Sequence, residues 1–147
     1  MKKQILSIVV TLSVIAAMSI AGFAGLSGTL KANIPFDFMT GGKKFPAGEY
    51  VVRTGTSQST LEVRNLKTNQ AVIAISRGLE VRAGGKPQLV FHRYGDQYFL
   101  AKATDYWSGI ELPMSKAERE AAKAKRDLLT MKDAGPEIVT VNAQIGQ

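Results

Sequence analysis

The 147-residue chain has no cysteine, one histidine and one tryptophan, and each shortage removes a kind of chemistry. Without cysteine there is no disulfide staple, no thiol nucleophile, no thiolate metal ligand and no lipoprotein-type lipid attachment. A single histidine, His92, rules out a histidine-rich zinc site. The chain also lacks an EF-hand loop, a nucleophile elbow and a phosphate-cradling glycine loop; Gly41-Gly42 and Gly84-Gly85 read as turn glycines. There is no repeat at fixed period and no low-complexity tract. Acidic residues are the minority, 12 against 19 basic, for a net charge of +7.

What is present begins with residues 1–24, MKKQILSIVVTLSVIAAMSIAGFA. Lys2 and Lys3 form a positive start, an apolar run follows from Ile5, and Ser19-Ile20-Ala21 and Gly22-Phe23-Ala24 offer small residues where a signal peptidase cuts. The stretch reads as an export leader cleaved after Ala24, with an uncleaved membrane anchor as the alternative, since Ile5 to Leu26 approaches the roughly 20 residues that span a bilayer. The expected location is therefore periplasmic or extracellular. Two basic residues and no acidic ones lie in the leader, which leaves a charge of +5 on residues 25–147. That length suits one domain with a core of its own, and the charge favours contact with anionic envelope components or acidic glycans without defining a site.

From Leu30 the chain alternates: Leu30, Ala32, Ile34, Phe36 and Phe38 on one side, Lys31, Asn33, Pro35 and Asp37 on the other. Period two predicts a strand with one buried face, and Pro35 places it at an edge or a bulge. After a turn at Gly41-Gly42 a return begins at Lys43 to Phe45, and a second turn at Pro46-Ala47-Gly48 leads to a short strand from Glu49 to Thr54. Thr60 to Arg64 continues the pattern. Ala71 to Ile75 is apolar on both faces and predicts a central strand covered on both sides, or one lying under the helix near the C-terminus. A loop with Gly78, Gly84-Gly85 and Pro87 follows.

The residues from Gln88 to Thr104 predict a hairpin about Gly95-Asp96, with a type II′ turn that sets Tyr94 opposite Gln97, Arg93 opposite Tyr98, His92 opposite Phe99 and Phe91 opposite Leu100. A turn at Ser108-Gly109 leads to a short strand. Ser115-Lys116-Ala117-Glu118 is a capping box, in which the Ser115 hydroxyl takes the Glu118 N–H and the Glu118 carboxylate returns to the Ser115 N–H. It opens a helix near 115–131 whose apolar side is Ala117, Ala121, Ala124, Leu128 and Leu129. Ile138 to Val141 reads as a last strand. The expected fold is mainly β: a single antiparallel barrel or sandwich of about eight short strands with one amphipathic helix near the C-terminus, preceded by the signal helix.

The set Ile34-Pro35-Phe36-Asp37-Phe38, Gly41-Gly42-Lys43, Pro46-Ala47-Gly48-Glu49-Tyr50, Phe91-His92-Arg93-Tyr94-Gly95-Asp96 and Leu112-Pro113-Met114-Ser115-Lys116-Ala117-Glu118-Arg119-Glu120 resembles a family of small exported β-rich proteins from soil bacteria. The resemblance covers most of residues 25–147. It implies an exported β domain with a C-terminal helix, and no activity, ligand or catalytic residue.

His92, mid-strand, reads as a histidine hydrogen-bonded within the sheet; a general base would need a carboxylate or nucleophile partner. Asp37, Glu49, Glu62, Glu80, Asp96, Asp105 and Glu111 are scattered singly, and their spacing demands no glycosidase pair. The aromatics Tyr94, Tyr98, Tyr106 and Trp107 gather near turns, and with Arg93 they form a possible ligand surface for sugars or other flat molecules. The helix interleaves Lys116, Arg119, Lys123, Lys125 and Arg126 with Glu118, Glu120 and Asp127, a pattern read as a solvated face rather than a membrane or nucleic-acid patch. These features predict no metal and no cofactor. They point to a non-catalytic binding or structural scaffold of the envelope, with a hydrolase of envelope or extracellular polymers and a membrane-tethered interaction domain as alternatives.

Overall fold

The computed structural model describes residues 25–82, 84–129 and 135–146; the expected leader at 1–24 lies outside the described residues. Among the described residues are twelve strands and one helix: β1 (Thr29–Ile34), β2 (Phe38–Thr40), β3 (Lys43–Phe45), β4 (Gly48–Thr54), β5 (Thr60–Asn65), β6 (Ala71–Ile75), β7 (Arg77–Leu79), β8 (Gln88–Tyr94), β9 (Gln97–Thr104), β10 (Gly109–Glu111), α1 (Lys116–Leu129), β11 (Glu137–Asn142) and β12 (Gln144–Gly146). The protein is mainly β with one helix. The strand count exceeds the expected eight because the chain is interrupted at four places where it passes from one sheet to the other.

One sheet has the order β12-β1-β4-β5-β6, and the other runs β11-β8-β9-β10-β7 with the β2–β3 hairpin attached. The first crossing is β1 to β2, over Pro35-Phe36-Asp37. Pro35 does not put its strand at an edge, since β1 pairs with β12 on one side and β4 on the other. It ends β1, because it has no N–H for a ladder, and the chain continues into β2, which lies parallel to β9. The inward alternation survives the corner: Leu30, Ala32, Ile34 and Phe38 are buried and Phe36 is half-buried. The other crossings are at Pro46-Ala47, between β3 and β4, at Ser76, between β6 and β7, and at Ala143, between β11 and β12.

Both sheets share one core. Phe38 sits at its centre, with its ring 5.6 Å from Phe45, 5.0 Å from Tyr50 and 5.4 Å from Phe91, contacts worth about 0.5–1.5 kcal/mol each beyond area burial. Leu30, Ile34, Leu61, Leu89 and Ile110 fill the remainder and are fully buried. The β2–β3 hairpin turns on Gly41 and Gly42 at φ +55 and +76, the pair of positive angles that a type I′ turn requires.

β6 departs from expectation. It is the edge of its sheet, not a central strand; Ala74 is buried, but Ile73 and Ile75 are 53% and 75% exposed. The apolar run has one covered face. The β8–β9 hairpin, by contrast, has the predicted register at all four pairs about the turn, with a bulge between Val90 and Phe91 and Gly95 at φ +61.

The helix lies against the outer side of β8. Glu118 N–H donates to Ser115 Oγ at 3.1 Å, so half of the capping box forms. The return half does not, because the Glu118 carboxylate turns to His92 instead. The inward face is therefore Ala117, Glu118, Ala121 and Ala122, while Ala124 is exposed and Leu128 is 83% exposed.

Candidate functional site

An open groove of about 470 Å³ lies across β1, β4 and β12, lined by Lys31, Asn33, Glu49, Leu66, Asn142 and Gln144 over Ala32 and Tyr50. The strand register builds it: Asn33 lies opposite Glu49 and Lys31 opposite Gln144, so their outward side chains are cross-strand neighbours. The Leu66 N–H donates to the Glu49 carbonyl at 2.9 Å and brings the β5–β6 turn to the rim. That turn is set by Asn65, whose Oδ1 accepts the Lys67 and Thr68 N–H groups at 2.9 Å each. Three amides, one ammonium and one carboxylate give a dense set of donors and acceptors. Glycoside hydrolysis by the usual route requires two carboxyl groups, and the groove lining has only Glu49.

The groove was missed in sequence because its residues come from both ends of the chain. Only the outward phase of Lys31 and Asn33 on the first strand was legible.

The expected ligand surface divides into three places. Tyr94 is buried, with its ring 6.0 Å from Phe99, and burial raises its pKa, helped by the Glu118 charge. Tyr98 is half-buried and stacks on Phe36 at 4.0 Å, with the Arg93 guanidinium 5.4 Å from its ring centre. Arg93 also pairs with Glu137 at 3.4 Å. Tyr106 and Trp107 lie at the other end of β9, 45% and 69% exposed.

His92 does have a carboxylate partner: its Nδ1 is 2.6 Å from Glu118 Oε1, a pair separated by 26 residues. The contact ties the helix to the sheet, and both side chains are largely covered. The crevice beside Glu118 holds only about 20 Å³ and is lined by Thr40, Phe99, Leu112 and Ser115, which is no room for a substrate.

Four of the other acids, Asp37, Glu62, Asp105 and Glu111, are occupied. Lys44 lies 3.1 Å from Asp37, whose pKa is lowered chiefly by the Ala47 N–H and then by Lys44. Arg64 and Arg53 hold Glu62 at 2.8 and 2.9 Å, and Arg77 holds Glu111 at 2.8 Å; these cations lower both pKa values against burial. Carboxyls held low are poor general acids near neutrality. Asp105 is fully buried. Burial alone would raise its pKa, but hydrogen bonds from the Trp107, Ser108 and Ser27 N–H groups and the Ser108 hydroxyl outweigh it and lower the value. No group of three or more metal-ligating side chains occurs among the described residues.

Comparison of the chain with protein-family models, curated proteins and solved structures finds no match.

Proposed function

We propose that the protein is an exported, non-catalytic binding scaffold of the cell envelope or extracellular space, whose groove over β1, β4 and β12 takes a polar polymer of the glycan class. The observation that carries this reading is the filled core beneath a shallow, amide-rich groove with a single carboxylate. Amide side chains donate and accept at once, as a hydroxyl-rich ligand requires, and the preformed sheet positions them at little entropic cost. The export leader and the resemblance to exported β-rich proteins support the location.

The same proposal includes a barrel-like arrangement in which the two sheets meet through bent strands. Strand β6 continues into β7 at one edge of the two sheets and β11 continues into β12 at the other, so the order β11/12, β1, β4, β5, β6/7, β10, β9, β8 returns to its start. Strands that bend from sheet to sheet are the corners of orthogonal packing.

Purified envelope polysaccharide immobilised as an affinity matrix tests the function. The parent chain should be retained, and Asn33→Ala with Gln144→Ala should lower affinity about tenfold, the loss of roughly one charge-free hydrogen bond per side chain, without a change in melting temperature. Equal retention of parent and variant would remove the groove from the reading. A hydrolase is the second reading, favoured only by the His92–Glu118 contact; it requires soluble products from the same polymer, and their loss in a folded His92→Gln variant.

A further inference from the structure

The only tryptophan of the chain is 69% exposed, and Tyr106 beside it is 45% exposed. Tryptophan is on average highly buried, so an outward Trp–Tyr pair calls for a partner. The rings do not stand on slack chain. Asp105 Oδ1 accepts the Trp107 and Ser108 N–H groups at 2.8 and 2.7 Å, and Oδ2 accepts the Ser27 N–H at 2.7 Å and the Ser108 hydroxyl at 2.9 Å. The backbone under both rings is thus fixed by one buried carboxylate.

The surroundings identify the partner. Ser27 is held by this turn, and the Leu26 N–H donates to Thr54 Oγ1 at 3.0 Å, so the apolar stretch Ile5 to Leu26 joins the fold beside the two rings. The chain around Gly84 runs along the same turn, its N–H donating to the Tyr106 carbonyl at 3.3 Å. Next to it Arg82 and Lys86 are exposed, against one exposed acid, Glu80. Tryptophan and tyrosine rings settle at the headgroup level of a bilayer, where an apolar body and a polar N–H or O–H are both satisfied. Nearby cations are attracted to anionic lipid.

We propose that the Tyr106–Trp107 turn is a membrane-contact tip that seats in the headgroup region of an anionic bilayer, at the pole where the N-terminal apolar stretch joins the fold. This contact is independent of the glycan groove. If the leader is retained, the tip orients the domain on its own membrane; if it is removed, the tip is a peripheral contact.

Because Trp107 is the sole tryptophan, its fluorescence reports on the tip alone. The full-length chain is mixed with vesicles of equimolar phosphatidylcholine and phosphatidylglycerol. Trp107 emission should shift to the blue and be quenched by lipids brominated near the glycerol, and an Arg82→Glu, Lys86→Glu variant should need about tenfold more lipid for the same quenching, as expected for cations near an anionic surface. Emission that stays at the wavelength of hydrated indole, unquenched at saturating lipid, overturns the proposal even if the chain binds through its leader. Equal quenching in phosphatidylcholine alone overturns the choice of an anionic surface.

Discussion

Asp105 shows how a single side chain can hold a fold together while looking unremarkable in sequence. It reads there as one of several scattered acids; the structure makes it the fully buried acceptor of four hydrogen bonds that join the start of the fold to the β9–β10 turn. Its spacing of three residues before Ser108 is that of a local side-chain turn, so half of its role was legible. The bond to Ser27, 78 residues away, was not. Asp105→Ala should cost about 3 kcal/mol, because four part-buried donors lose a charged acceptor together, measured by urea unfolding. The pH dependence has a definite sign. A carboxyl whose folded pKa lies below its ordinary value stabilises the fold above that value and ceases to do so as pH falls through the folded pKa. Parent stability should therefore decline as pH drops below the ordinary 3.8, and Asp105→Asn should flatten that part of the curve. An identical acid limb in both proteins would show that Asp105 is not the titrating group.

At the scale of elements, local chemistry was legible and coverage was not. The β8–β9 register follows from a two-residue turn that admits few pairings. The Ser115 cap follows from a spacing of three. What Glu118 does with its carboxylate depends on a strand 26 residues away, and sequence placed His92 and Glu118 in separate elements with nothing to join them. Helix docking should depend on that pair. Truncating Glu118 and His92 singly and together should reveal a coupling of about 1–3 kcal/mol, since the residues touch and are mostly covered; additive losses would make the contact incidental. β6 teaches the converse lesson. A run apolar on both faces predicts two covered faces, yet Ile73 and Ile75 are exposed at a sheet edge, where unpaired backbone and apolar side chains invite association. Ile75→Lys should leave the unfolding free energy within about 0.5 kcal/mol of the parent and raise the concentration at which the protein aggregates, followed by light scattering. A variant that aggregates as readily would clear this edge of blame.

For the molecule as a whole, the class of fold was legible because alternation repeats along nearly every strand. Its assembly was not, because the joining pairs are remote: Leu30 of β1 lies opposite Ile145 of β12, and Val139 of β11 opposite Phe91 of β8. No local periodicity encodes such pairings. The same long-range ties bear on how much of the N-terminus the fold can lose. Among the described residues, Leu26 and Ser27 are the first whose backbone N–H groups are held by side chains, those of Thr54 and Asp105. Cleavage after Ala24 or after Ala21 removes neither, whereas a cut two or three residues further on would remove these donors from Thr54 Oγ1 and Asp105 Oδ2. Cleavage at either of the small-residue sites expected from the sequence would therefore leave these ties in place. The mass of the protein recovered from its native host should correspond to a chain starting at Gly25, or at Gly22 for the earlier site. A mass that includes Met1, found in the membrane fraction, would replace cleavage by anchoring and leave the domain tethered at the pole that carries Trp107.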